Sequence, residues 1–296
     1  MKNSIVRVTF TLLFAFVVFT FVANPSKYMG VFFDGLTVWA HNVLPVLFPF
    51  ALLSTLYAKN SKPPKFSITK KLFRLQCDEV FFVSFLCGYP AGAKAISELD
   101  VREETASALC SFCSTASPIF IIATVGTAIG NSTATCIVCI SQLVAMMLNG
   151  LVYTSNKSTN IKCQITSSSK ADFTNTLTNS VLAVLSVGGL IALFFMLTEM
   201  FQSLLPLSVA NHPAIFFAIG LLEMTSGILK ICSSCNTFVA TVCTSALLAF
   251  GGLCVAMQCF AFVSQKGVRF LTLIKMKCTQ SAFATITSFV LAKIFL

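Results

Sequence analysis

The chain has 296 residues, of which 56% are hydrophobic and only 10% charged, and its mean hydropathy is +0.87. Soluble domains carry about 25% charged residues, so this composition excludes a large water-soluble core and points to a membrane protein. The net charge of +10 does not mark a nucleic-acid binder, because no groove-reading motif accompanies it.

A spanning helix needs about 20 apolar residues. The first run, 4–23, follows Lys2 and Arg7. Phe21 stands where a signal peptide cleaved after Ala23 would need a small residue, so an uncleaved helix is preferred and a signal peptide is the alternative. A second run covers 33–57, and a basic loop follows with Lys59, Lys62, Lys65, Lys70, Lys71 and Arg74. Residues 80–97 are apolar but short and interrupted by Gly and Pro, and they exit into Glu98, Asp100, Arg102, Glu103 and Glu104. Runs at 106–129 and 133–154 lead to a loop rich in Ser, Thr and Asn with Lys157, Lys162 and Lys170. The second half repeats the order: a run at 176–205, a short interrupted segment at 212–230, and runs at 237–264 and 278–296, with Lys266, Arg269, Lys275 and Lys277 between the last two.

The basic loops belong on the cytoplasmic side. With a cytoplasmic N-terminus this is met only if 80–97 enters and leaves on that face and 212–230 does so from the opposite face. The expectation is an all-α polytopic membrane protein: one N-terminal transmembrane helix (1–30), then a repeat of helix, re-entrant hairpin, helix, helix (31–154). A cytoplasmic linker (155–175) leads to a second, inverted copy (176–296). Basic stretches 66–75 and 270–277 look amphipathic and suited to the interface.

Three C-x-x-C pairs (Cys110/Cys113, Cys136/Cys139, Cys232/Cys235) have zinc-like spacing, but two of them fall in apolar helical runs and the only histidines are His41 and His212. Packing of small apolar thiols is the reading taken, and no metal or cofactor is assigned. No nucleophile elbow, Walker loop or H-E-x-x-H is present, so no enzyme activity is expected.

The chemistry-bearing residues cluster at the interruptions. They are Gly88-Tyr89-Pro90-Ala91-Gly92-Ala93-Lys94, then Cys113-Ser114-Thr115-Ala116-Ser117-Pro118, then Glu223-Met224-Thr225, then Phe250-Gly251-Gly252-Leu253 with Gln258. Short, broken segments in corresponding places of two halves are a pointer to a solute site near the bilayer midplane. Lys94 and Glu223 are costly there, so each is expected to face a cavity or a partner. Mutual pairing is one reading, and snorkelling of Lys94 to the surface near Glu98 is the other.

These strings resemble the sporulation integral membrane proteins of the YlbJ type, within the group carrying a nucleoside-recognition, or Gate, domain. The resemblance covers roughly 30–296 and rests most on the GYPxGAK string. It implies the bacterial cytoplasmic membrane, a role in sporulation, and a fold similar to the core of concentrative nucleoside transporters. It also implies site residues. Gly88, Tyr89, Pro90, Gly92 and Lys94 would form the first hairpin tip, and Ser114, Thr115 and Ser117 the first unwound helix. Glu223 and Thr225 would lie in the second hairpin, and Gly251, Gly252 and Gln258 in the second broken helix. The chain departs from the family pattern at Cys254 and Ala256, where Ser and His often stand, and has no Gln-Thr-Glu in the first hairpin. The expected function is a permease or channel for a small polar solute. A non-transporting scaffold of a spore-envelope complex, working through other sporulation membrane proteins, is the alternative.

Overall fold

The computed structural model describes residues 2–45, 47–49, 52–53, 56, 67–154, 161–162 and 173–296. Lys59, Lys62, Lys65 and most of the expected linker lie outside the described residues. The described chain is almost wholly helical, with one short parallel strand pair, Leu75–Gln76 beside Ile161–Lys162. Among the described residues, four helices are long and apolar enough to cross a membrane, or five if one bent pair is a single span. This is the build of an all-α, multi-pass membrane protein.

Helix α1 (Lys2–Ala23) is followed after one residue by α2 (Pro25–Val38), which runs on through a π-helical turn, Trp39–Val43. The residues between the first two expected runs are therefore helical from Pro25 onward, and Lys27 sits in the first turn of α2. The segments 14–23 and 25–43 meet at 110°. The break falls at Pro25 because its ring clashes with the preceding turn and lacks the N–H, while both properties suit the start of a new helix. Short α3 (Ile68–Phe73) is capped by Ser67, whose hydroxyl accepts from Lys70 N at 3.0 Å, and it buries Thr69 and Phe73 while exposing Lys70 and Lys71.

A first helical hairpin follows: α4 (Asp78–Cys87) and α5 (Ala91–Ser97), joined by Gly88-Tyr89-Pro90 with a cis Tyr89–Pro90 bond. Next, α6 (Glu103–Cys110) gives way to seven non-helical residues, and helix resumes as α7 over Pro118–Ile129. Ser117 restarts it by accepting from Phe120 N at 3.1 Å. Helix α8 (Ser132–Thr154) is capped by Asn131, and α9 spans Phe173–Ser203. After the short α10 (Leu207–Ala210) comes a second hairpin, α11 (Pro213–Leu222) and α12 (Met224–Ser234), with Glu223 alone between the arms. Helix α13 (Thr237–Phe250) breaks at Gly251 before α14 (Gly252–Val263). Gly251 and Gly252 have φ of +83° and +72°, a conformation that a side chain would strain. Helix α15 (Phe270–Phe295) closes the chain.

Contacts sort the connections into two ends. At one end Leu75 pairs with Ile161, Phe73 lies against Gly150, Gly267 against Glu103, and Phe260 against Phe270. At the other, Lys27 Nζ meets Glu199 Oε1 at 2.9 Å, Tyr28 and Ser203 share a hydroxyl bond of 3.0 Å, Lys230 donates to Gln202, and Phe238 packs on Phe289. The interior seams use small residues, with Ala145, Ala249 and Ala284 meeting between α8, α13 and α15, which lets helix backbones approach closely. The stretch 270–277 is not a separate surface helix. It forms the first turns of α15, with Leu273, Met276 and Lys277 buried.

Candidate functional site

A chamber of about 650 Å³ of empty space, its mouth included, lies where the two hairpin tips meet. It is lined by the π-helical turn after α2 with Leu47 beyond it, the end of α4 and the first hairpin tip, the first helix break and the start of α7, α9, the second hairpin tip, and α14. Its polar wall is Asn42, Tyr89, Ser117, Glu223, Thr225 and Gln258, and the rest is largely aliphatic.

Glu223 is 2% exposed. Its carboxylate accepts from Thr225 N at 3.0 Å and Ser226 N at 2.7 Å, so it caps α12. A carboxylate accepts about four hydrogen bonds, so lone pairs remain after these two are made. Tyr89 ties the tips together. Its N–H donates to Thr115 O at 2.8 Å, and its hydroxyl lies 2.8 Å from Met224 Sδ and 3.3 Å from Leu248 O. Gln258 donates to Cys254 Sγ at 3.2 Å.

Of the sequence-predicted site residues, Gly88, Tyr89, Pro90, Ser117, Glu223, Thr225 and Gln258 line the chamber, whereas Gly92, Lys94, Ser114, Thr115, Gly251 and Gly252 do not. Each of the second group has another place. A Cβ on Gly92 would stand 2.0 Å from Cys113 O, so this glycine seats the hairpin arm on the unwound segment. Ser114 carries its hydroxyl to Cys259 Sγ at 3.4 Å. The Thr115 hydroxyl has no partner and borders a separate cavity of about 310 Å³, together with the equally unpartnered Gln142 Oε1. Gly251 and Gly252 form the break itself, Gly252 lying against Gly220 O and Leu222 O. Lys94 reaches Ser180 Oγ on α9 at 3.3 Å and borders a small cavity beside Leu47 and Phe262. It does not pair with Glu223, whose partners are backbone amides.

Among the described residues, the fully buried cation is Lys277. It is 1% exposed, donates to Ser114 O on the unwound segment, and stands 5.0 Å from the Tyr89 ring centroid. Sequence reading counted it among loop charges. A signal for it was present: Lys277, Gln280, Ala284 and Ser288 recur at helical spacing and all are buried, a stripe that one face of α15 turns inward. Asn42 was also missed. It lies in the π-helical turn Trp39–Val43, a distortion frequent at functional sites.

The thiols of the three C-x-x-C pairs are free, Cys110 and Cys113 fully buried. Cys77, by contrast, is disulfide-bonded. Lasting disulfides belong to oxidising compartments, which bears on the side its end of the molecule faces.

No protein-family model matches the chain, and no curated protein or solved structure matches it.

Proposed function

We propose that this chain is a membrane permease or channel for a small polar solute, built from two inverted repeats (31–154 and 176–296) of helix, re-entrant hairpin, broken helix and helix after an N-terminal helix. One observation carries the reading. Both hairpin tips, the first helix break and the helix that follows the second break converge on a single chamber that holds a buried carboxylate. The ends support the inversion: the first hairpin starts beside the Leu75 pairing, and the second ends beside the Lys230–Gln202 contact at the opposite end. Lipid offers no hydrogen bonds, so irregular backbone at membrane depth is tolerated where protein buries it or a cavity receives it. Alternating access then consists of one hairpin withdrawing while the other stays seated.

The setting in a bacterial cytoplasmic membrane during sporulation, with other sporulation membrane proteins as partners, rests on the motif resemblance. One feature favours the scaffold alternative: the Tyr89 hydroxyl and the Lys277 ammonium fasten the parts that a permease must move. The test is solute flux into liposomes holding the purified chain, alongside thermal stabilisation by nucleosides, nucleobases, amino acids and ammonium compounds, with Glu223→Gln as the comparison. Flux that Glu223→Gln abolishes supports the permease. A folded protein that neither binds nor passes any of them supports the scaffold.

A further inference from the structure

We infer that the chamber selects a small organic cation, an alkylammonium head on an apolar body, and that Glu223 is its charge partner. The inference rests on the permease reading and deepens it by naming a solute class.

The charge balance of the wall is one-sided. Among the described residues, Glu223 is the only carboxylate lining the chamber, and no Lys, Arg or His stands beside it there. Lys94 and Lys277 are committed elsewhere, Lys94 toward Ser180 and Lys277 to Ser114 O. Two backbone amides and the start of α12 offset part of the carboxylate's charge, since a helix N-terminus carries only about half a unit of positive charge. A buried carboxylate without a cation is expensive. A ligand that brings one resolves the imbalance, and the carboxylate's free lone pairs receive its N–H groups or its diffuse charge.

The rest of the wall decides which cation. A bare inorganic ion asks for about six or more oxygens around it. Here the oxygens of Asn42, Ser117, Thr225 and Gln258 are dispersed among Val187, Ile191, Phe120 and Val255. Those aliphatic and aromatic surfaces suit hydrocarbon, and an aromatic face also attracts a quaternary ammonium. Lys277, behind the Tyr89 ring, repels a positive head from that side and so turns it toward Glu223.

The experiment titrates the full-length purified chain with methylammonium, tetramethylammonium, ethanolamine, choline and putrescine, each beside its uncharged isostere (3,3-dimethylbutan-1-ol for choline). Heat of binding and melting temperature are read together. At least one cation is expected to bind about thirtyfold or more tightly than its isostere, and Glu223→Gln should erase that preference while still melting cooperatively. The cation–isostere comparison uses the natural chain, so it stands even if the variant fails to fold. Equal affinity for charged and uncharged members, or binding of neutral solutes alone, overturns the cation inference and leaves the permease reading in place. Absence of binding and of flux for every compound overturns both.

Discussion

Replacing Gly92 with alanine tests the seat of the first hairpin. The new Cβ would stand 2.0 Å from Cys113 O and 2.6 Å from Ser84 Oγ. Carbon and carbonyl oxygen touch at about 3.3–3.6 Å, so the arm must withdraw by about 1.3 Å. The obstacle is a backbone oxygen on the unwound segment, so no side-chain rotation relieves it. Overpacking of this kind costs about 1–3 kcal/mol. Withdrawal also pulls Tyr89 N from Thr115 O, a further loss of about 0.5–1.5 kcal/mol. The expected destabilisation is about 1.5–4.5 kcal/mol, summing the two effects. Gly189→Ala is the control. It lies on α9 with nothing within 4 Å of its would-be Cβ, where alanine is favoured by about 0.5–1 kcal/mol. Reversible unfolding in mixed micelles, followed by circular dichroism, measures both variants. If Gly92→Ala unfolds within about 0.5 kcal/mol of the natural chain, the close approach of hairpin and unwound segment is refuted.

The remaining predictions concern the tips, the buried charges and the ends. Tyr89→Phe removes the hydroxyl contacts to Met224 and Leu248 O, and thermal denaturation should show a loss of about 0.5–1.5 kcal/mol; an unchanged melting temperature would sink the latch. Glu223→Ala deletes the cap of α12 and should cost about 0.5–2 kcal/mol, with Glu223→Gln costing less. Lys277→Met leaves Ser114 O without its donor at about 1–3 kcal/mol, and Lys277→Ala should be worse because a cavity is added. Epitope tags inserted after Asp100 and after Asn211 should be accessible from opposite sides of the membrane; access to both from one side would break the two-ended arrangement. A shift of the natural chain between reducing and non-reducing gels would put the Cys77 end on an oxidising side.

The hairpins and helix breaks were legible because Gly, Pro and isolated charges punctuate otherwise apolar runs. Gly88, Pro90, Pro118, Glu223 and Gly251 all stand at or next to the interruptions. What was not legible follows from the same physics. Hydropathy treats a span as a line and is blind to direction, so the 110° turn at Asn24 read as a loop between two spans. Charge counting assumes that lysines near helix ends face water, and Lys277 violates it because a freed carbonyl on another element receives its ammonium. The role of Gly92 was also beyond sequence. A glycine permits close approach or unusual dihedrals, and only the position of Cys113 O decides between them.

Lys277 and Glu223 answer one problem with opposite signs. Breaking a helix inside a membrane strands carbonyls on the segment that ends and N–H groups on the segment that begins. In the first half the stranded group served by charge is a carbonyl, Ser114 O, and the chain brings an ammonium to it from the last helix. In the second half the stranded groups are the amides of Thr225 and Ser226, and Glu223 brings a carboxylate to them. Each choice follows the local dipole, negative where a helix ends and positive where one starts. The outcome is nevertheless unequal. Lys277 is spent behind the Tyr89 ring, away from the chamber, while Glu223 lines the chamber itself. The chamber wall thus carries one sign of charge only, and on the permease reading proposed above it is that asymmetry, rather than the shape of the chamber, that would set a solute preference.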